Sequence, residues 1–202
     1  MMDLSPVTLE GPTIRLEPLE PRHLDGLCRV GLDPALWRLT VNRVTDRAAM
    51  ERYLADAWAE QRTGTMLPFA TVRRATGDVI GSTRFGNGSP AHRRVEIGWT
   101  WLGRTWQRTG ANTEAKYLML RHAFEVWHCL RVELKTSALN QQSRTAITRL
   151  GAREEGILRH HMINEDGSLR DSVYYSILRD EWPGVRARLE SMMDRPGEAT
   201  GR

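Results

Sequence analysis

A glycine-bearing turn between a strand and a helix is the stretch whose residue types point most directly to chemistry: Trp101-Leu102-Gly103-Arg104-Thr105-Trp106-Gln107-Arg108-Thr109-Gly110-Ala111-Asn112-Thr113. A strand running through such a turn into a helix aims several unpaired backbone N–H groups at one point, and the helix dipole adds about half a positive charge there. The junction can hold a phosphate or pyrophosphate, with Gly110 letting the backbone approach the anion. It lacks both the Gly-Lys-Ser/Thr ending of a P-loop and the three glycines of a dinucleotide fingerprint. A plain turn is the alternative reading of these residues taken alone.

Other reactive residue types are sparse. Cys28 and Cys129 are the two cysteines, each in an apolar helical context that suits a reduced core thiol. His160 and His161 are strand neighbours on opposite faces, so they cannot chelate one metal without other ligands, and no metal is expected. Of 29 basic residues only Lys116 and Lys135 are lysine, and the arginines are interleaved with acids at a net charge of +4. No basic stripe with aromatics between its members appears, so a nucleic-acid partner is not expected. With 40% hydrophobic residues the composition excludes a disordered chain, a collagen and a disulfide scaffold. No apolar run approaches a membrane span, no signal peptide is visible at Met1 to Pro12, and a cytoplasmic location is expected.

Hydrophobic spacing supplies the elements that must position the turn. Thr13 to Pro18 alternates as a strand, and Pro21 opens a segment with Leu24, Leu27 and Cys28 at helical spacing. Asp46 begins a helix with Met50, Tyr53, Leu54, Ala57 and Trp58 on one face, ending near Thr63-Gly64. Leu67 to Arg73, Val79 to Arg84 and Arg94 to Leu102 read as an antiparallel meander, with turns at Thr76-Gly77-Asp78 and Asn87-Gly88-Ser89-Pro90. A helix is predicted from Thr113 to Trp127, its face made by Ala115, Leu118, Met119, His122 and Val126. Then come a strand over Arg131 to Thr136, a helix capped by Asn140 and stopped by Gly151, and a hairpin of Ile157 to Ile163 with Leu169 to Leu178. Asp180 to Met193 is a last helix, and 194–202 a flexible tail. The sum is one α+β domain over residues 1–193 with a mixed, mostly antiparallel central sheet flanked by helices.

In this order the loop sits after a strand carrying Glu96 and before Asn140-x-x-Ser143, Leu150-Gly151-Ala152, Glu155-Gly156 and the Tyr174-Tyr175-Ser176-Ile177-Leu178 strand that precedes Glu181-Trp182. From about Thr13 to Trp182 the chain resembles the GNAT superfamily of acetyl-coenzyme A-dependent N-acetyltransferases. Within it the resemblance is to the ribosomal-protein N-terminal acetyltransferases, the RimJ/RimL-like group. The family's coenzyme loop is Arg/Gln-x-x-Gly-x-Gly/Ala. Gln107 and Gly110 match, whereas Asn112 stands where a small residue is usual. Asparagine suits a helix N-cap and tolerates left-handed dihedrals, which accommodates the departure.

The resemblance implies the GNAT fold, with acetyl-coenzyme A and an amine as partners. The N–H groups of Arg108, Thr109, Gly110, Ala111, Asn112 and Thr113 would hold the pyrophosphate, the strand edge at Thr100, Trp101 and Leu102 would pair with the pantetheine amides, and Asn140 would touch the arm from the other side. Transfer needs a neutral amine, an oxyanion donor and a proton for the leaving thiolate. Glu96 is the candidate base, with a carboxylate solvated or salt-bridged near Arg93 and Arg94 as the alternative. Ser143 is the candidate donor to the thiolate, or simply a first-turn residue of a capped helix. The oxyanion donor falls to a strand N–H near Leu102. Some relatives place a glutamate where Met162 stands, and strand alternation puts His160 on the same side, able to replace it. Trp37 and Trp99 are acceptor-site candidates, and the remaining tryptophans packing. One exposed carboxylate with a histidine suits a peptide α-amine better than a lysine, by direct attack without a covalent enzyme intermediate. A small-amine or antibiotic acetyltransferase, with an acidic acceptor pocket, and an inactive acyl-coenzyme A-binding regulatory domain are the alternatives. A homodimer is compatible with all three.

Overall fold

In the computed structural model, residues 2–194 are described. The flexible tail expected over 194–202 therefore lies, beyond Asp194, outside the described residues. In chain order the elements are β1 (Leu9–Glu10), β2 (Ile14–Pro18), α1 (Leu24–Gly31), α2 (Arg47–Arg62), β3 (Leu67–Arg73), β4 (Val79–Ser89), β5 (Arg94–Leu102), α3 (Ala111–Arg121), β6 (Arg131–Ser137), α4 (Gln141–Leu150), β7 (Arg153–Ile163), β8 (Leu169–Leu178) and α5 (Trp182–Asp194). Local chemistry explains several ends. Asp46 accepts the Ala49 N–H at 2.7 Å and starts α2, Asn140 accepts the Ser143 N–H at 3.0 Å and starts α4, and Gly151 at φ 106° ends α4 in the left-handed region.

The strands form one sheet in the order β1-β2-β3-β4-β5-β6-β8-β7. Every pairing is antiparallel except β5 with β6. Alternation along the strands sends two apolar sets to opposite faces. On one face α3, α4 and α5 cover residues such as Phe69, Phe85, Val95, Ile97, Val132 and Tyr175. On the other, α1 and α2 cover Ala70, Val72 and Trp101 through Leu27, Met50 and Tyr53. That second layer stops short of β6, β7 and β8, so the far half of the face keeps polar residues.

Two expectations change. The helix predicted over Thr113 to Trp127 is α helix only from Ala111 to Arg121 and continues as a π-helical turn over His122–Val126. The wider turn rotates the face, so Ala115, Leu118 and Met119 are buried but Val126 is exposed. The turn expected at Asn87 to Pro90 lies later. β4 runs on to Ser89 through a bulge with Asn87 at φ 51°, and the reversal is a 3-10 turn over Pro90–His92. Among the described residues no helix is long and apolar enough to cross a membrane.

Candidate active site

The site is built around a fork. β5 and β6 run parallel, yet they pair only at Arg94 with Arg131, Val95 with Val132 and Glu96 with Glu133. Beyond Glu96, β5 continues for six residues and β6 continues to Ser137 without further pairing. One cause lies in β5: Trp99 has φ 50°, and the register against β4 slips between Gly98 and Trp101. Such a bulge bends the strand away from its neighbour. The gap ends at the start of α3 on one side and the start of α4 on the other.

On the β5 wall, the Gly103 N–H donates to Ile80 of β4 at 2.9 Å. By alternation Trp101 directs its backbone groups to β4, opposite Ser82, and Leu102 directs its own to the gap. The side chain of Gln107 donates to the Leu102 carbonyl at 3.2 Å, which braces the loop against the strand end and leaves the Leu102 N–H facing the gap. The Trp101 ring is buried against Trp37 and Gly31, in the layer under α1 and α2. Thr100 sits over α3, where the Lys116 ammonium donates to its hydroxyl and lies 3.4 Å from that of Thr83. Lys116 is 5% exposed, and burial lowers its pKa from 10.5 to about 7.

The loop opens α3 two residues earlier than predicted. Gly110 is the N-cap and Asn112 lies within the first turn, so asparagine does not cap this helix. The left-handed residue is Arg108, at φ 60°. Arg108, Thr109 and Gly110 are exposed, Asn112 is half-buried, and Ala111 and Thr113 are buried. The Thr109 hydroxyl accepts the Ala111 N–H at 3.3 Å, and the other first-turn N–H groups have no carbonyl behind them. A Cβ on Gly110 would meet nothing within 4 Å, so the backbone here is open to a large anion. The donor set fits a pyrophosphate.

At the apex of the fork, Glu96 is 2% exposed rather than solvent-facing. Its Oε2 accepts from Asn87 Nδ2 at 2.7 Å and from Lys135 Nζ at 3.0 Å. Arg93 and Arg94 go elsewhere: Arg93 donates to the His128 carbonyl and Arg94 pairs with Glu133. The β6–β8 register puts Tyr174 opposite Lys135 and Ser172 opposite Ser137, so these residues share the face that Glu96 occupies. The Lys135 ammonium lies 5.8 Å from the ring centres of both Trp99 and Tyr174. Trp99 packs its ring over Gly86, where no side chain would fit.

On β7 the expected alternation fails. Leu158 pairs with Ser172 and Met162 with Arg170, so β7 fits three residues where β8 has one, and His160 has φ 49°. It is His161 that reaches the polar face, with Nδ1 3.1 Å from the Ser172 hydroxyl and Nε2 3.4 Å from the Tyr174 hydroxyl. His160 is exposed, its N–H bonded to Asp171. On the opposite wall Asn140 uses its side-chain oxygen on Ser143, and both residues are half-buried.

A cavity of about 610 Å³ continues the open half of this face, between Pro34–Arg43 and the tips of β7 and β8. Trp37, Arg38, Ser137, His160 and Arg170 are among its walls. Trp37 is mainly a core residue, donating to the Gly31 carbonyl at 2.7 Å and packed on Tyr53 and Trp101. Lys135, Asn87, His161, Tyr174 and Arg170 escape the sequence reading. The one available signal is that Lys116 and Lys135, the only lysines in an arginine-rich chain, both sit at the fork.

A family model described as "Acetyltransferase (GNAT) domain" matches residues 13–153. A relative in Bacillus subtilis (strain 168), named "Putative ribosomal N-acetyltransferase YdaF", is 32% identical over 110 residues, which are 54% of this chain and 59% of that protein. The match thus spans less than two thirds of that relative. The crystal structure of a "putative acetyltransferase" from T. thermophilus is 37% identical, with a TM-score of 0.85 over 93% of this chain and 97% of the other. Mycobacterium smegmatis RimJ, solved in complex with CoA-disulfide, is 25% identical, with a TM-score of 0.79 over 95% and 97% of the two chains.

Proposed function

The chain belongs to the GNAT acetyltransferase family, with relatives in the RimJ/RimL-like group, and from that premise we propose that it acetylates peptide α-amines by direct attack on acetyl-coenzyme A. The observation that carries the reading is the fork: Glu96 sits at its apex, and its two walls run to an open helix start and to Ser143. Acetyl-coenzyme A supplies the acetyl group as a thioester. The N–H groups of Arg108 to Thr113 hold the pyrophosphate, and the Leu102 N–H faces the gap as the oxyanion donor. Glu96 takes the proton of the attacking amine on Oε1 or Oε2, directly or through a water, while Asn87 and Lys135 hold its carboxylate in place. The Ser143 hydroxyl donates a hydrogen bond to the leaving sulfur, which takes its proton from solvent while Glu96 returns to solvent the one it took from the amine.

The acceptor class follows from amine chemistry and from the cavity. At pH 7 an α-amine with pKa about 7.7 to 8.0 is roughly a tenth neutral, whereas a lysine with pKa about 10.4 is neutral in about one molecule in 2,500. A site with one carboxylate base suits the first. The cavity has arginines at 38, 43 and 170, and its two aspartates are engaged, Asp171 by the His160 N–H and Asp166 by Ser168. That lining supports a peptide over an aminoglycoside or polyamine, which would need an acidic pocket. The same reading has the enzyme working in the cytosol without a metal. The test is competition between a peptide with a free amino terminus and a blocked copy carrying one lysine, followed by mass spectrometry from pH 6 to 9. The free terminus should react faster throughout. Faster reaction of the blocked copy would overturn the assignment.

A further inference from the structure

Arg170 stands on β8, 9% exposed, on the same sheet face as Ser172 and Tyr174 and two positions beyond Ser172. Among the described residues its Nε is buried without a hydrogen-bond partner, and no carboxylate lies within ion-pair distance of its guanidinium. A buried cation left this way is costly unless something completes it. Arg84 is the informative contrast. Its Nε is also unpartnered, but its guanidinium lies 4.2 Å from the Tyr53 ring centre and donates to the Tyr53 carbonyl at 3.3 Å, so the protein itself satisfies it. Arg170 has no such neighbour and instead lines the cavity that continues from the fork. Burial works against its charge, and the carboxylate of Glu96 is the one charge that supports it from a distance.

The two aspartates of the cavity do not serve it. Asp171 accepts the His160 N–H at 2.7 Å, and Asp166 accepts from the N–H and hydroxyl of Ser168. Arg170 is therefore a planar donor fork set into the acceptor side of the site and waiting for an anion. Cα positions advance about 3.3 Å per strand residue, so Arg170 lies roughly 13 Å along β8 from Tyr174, beside the Glu96–Lys135 pair, and its long side chain shortens that gap.

We propose that Arg170 determines acceptor specificity by binding a carboxylate that the acceptor carries close behind its reacting amine. The proposal rests on the acetyltransferase reading of the fork, and it narrows the acceptor to an amine with a nearby acid. A peptide with an acidic residue at its first or second position and a free acidic amino acid both meet that description.

The test compares peptides beginning Ser-Glu and Ser-Gln, and separately free glutamate and glutaminamide, which carries no carboxylate, as acceptors for the intact chain. Through KM, kcat/KM should favour the acid of at least one pair by about tenfold or more, the usual worth of a hydrogen bond to a charged group. Preference within the peptide pair alone identifies a peptide, and within the free pair alone an amino acid. Arg170→Gln should erase the preference while coenzyme affinity stays as in the parent, and Arg170→Lys should keep part of it. Equal use of acid and amide by the parent, or an undiminished preference in Arg170→Gln, overturns the proposal. Calorimetry with the N-acetylated forms of the same four compounds, in the presence of coenzyme A, separates this from the transferase reading. Acid-selective binding that Arg170→Gln abolishes sustains the proposal even where no amine is acetylated, and then only the activity assignment falls. Binding without acid selectivity, or no binding, overturns it whatever the turnover.

Discussion

The Lys135 ammonium donates to Glu96 Oε2 at 3.0 Å at the apex of the fork, from a position on β6 two residues past the last pair that joins the strands. The pair ties two strands where the backbone ladder no longer does, and it fixes the carboxylate that the proposed reaction uses as its base. Glu96→Gln keeps the shape and still accepts from Lys135, but it cannot take a proton. Turnover should fall by about 10²- to 10⁴-fold, the usual cost of losing a general base. Coenzyme affinity should hold, because the pyrophosphate donors lie at the far end of the gap. A parent-like rate at neutral pH would make Glu96 structural.

Gly110→Asp tests the loop. Gly110 is the N-cap of α3 with φ −64°, and nothing lies within 4 Å of an added Cβ, so the fold accepts the change. Aspartate at that position favours the helix. Its charge beside the pyrophosphate should weaken coenzyme binding about tenfold or more, worth about 1.4 kcal/mol, with an unchanged or slightly higher melting temperature. Calorimetry showing parent-like affinity would remove the loop from the coenzyme site.

Lys116 gives a pH dependence of stability. Its pKa is 10.5 when unfolded and about 7 in the fold, because burial penalises the charge. Between pH 7 and 10.5 the unfolded chain holds a proton on this amine that the folded chain has released, so this group makes stability rise with pH across that window. Below pH 7 the full penalty applies, on the order of a few kcal/mol. Lys116→Met should therefore be more stable than the parent at pH 6 in urea titrations, and the advantage should shrink steadily toward pH 10. A difference independent of pH would refute the buried-amine account.

At the sheet edge Arg131 of β6 bonds both oxygens of Glu155 on β7 and holds that carboxyl at about 2, below its ordinary 4.5. Stability from this pair is complete above pH 4.5 and is lost as the pH falls toward 2. Because Glu155 is 40% exposed, solvent screens the pair and Glu155→Gln should cost about 1 kcal/mol or less at pH 7. The cost should vanish near pH 2. An equal cost at both pH values would point to packing rather than charge.

Element starts and stops were legible wherever a few neighbouring residues decide them. Asp46 and Asn140 cap their helices through bonds three residues long, and Gly151 ends α4 because its own dihedrals allow it. The open start of α3 was legible for the same reason, since a glycine turn feeding a helix exposes its donors whatever the rest of the chain does. The face of α3 was read correctly only as far as its hydrogen bonding stays regular, and the π-helical turn broke the pattern at Val126.

What alternation cannot carry is an inserted residue. The bulge at Trp99 moves the later side chains of β5 by a step, and around His160 β7 carries three residues against one of β8, so that His161 rather than His160 meets Ser172 and Tyr174. β5 and β6 part beyond Glu96 next to the bulge at Trp99, which the alternation of β5 alone does not reveal. Glu96 and Lys135 stand 39 positions apart and meet because two strands lie side by side, and among the described residues the Arg170 Nε is buried without a hydrogen-bond partner. Residue types and local spacing thus determined the elements and the open helix start after the Gly110 turn, whereas sheet register, a property of strands distant in sequence, decided which side chains gather around Glu96.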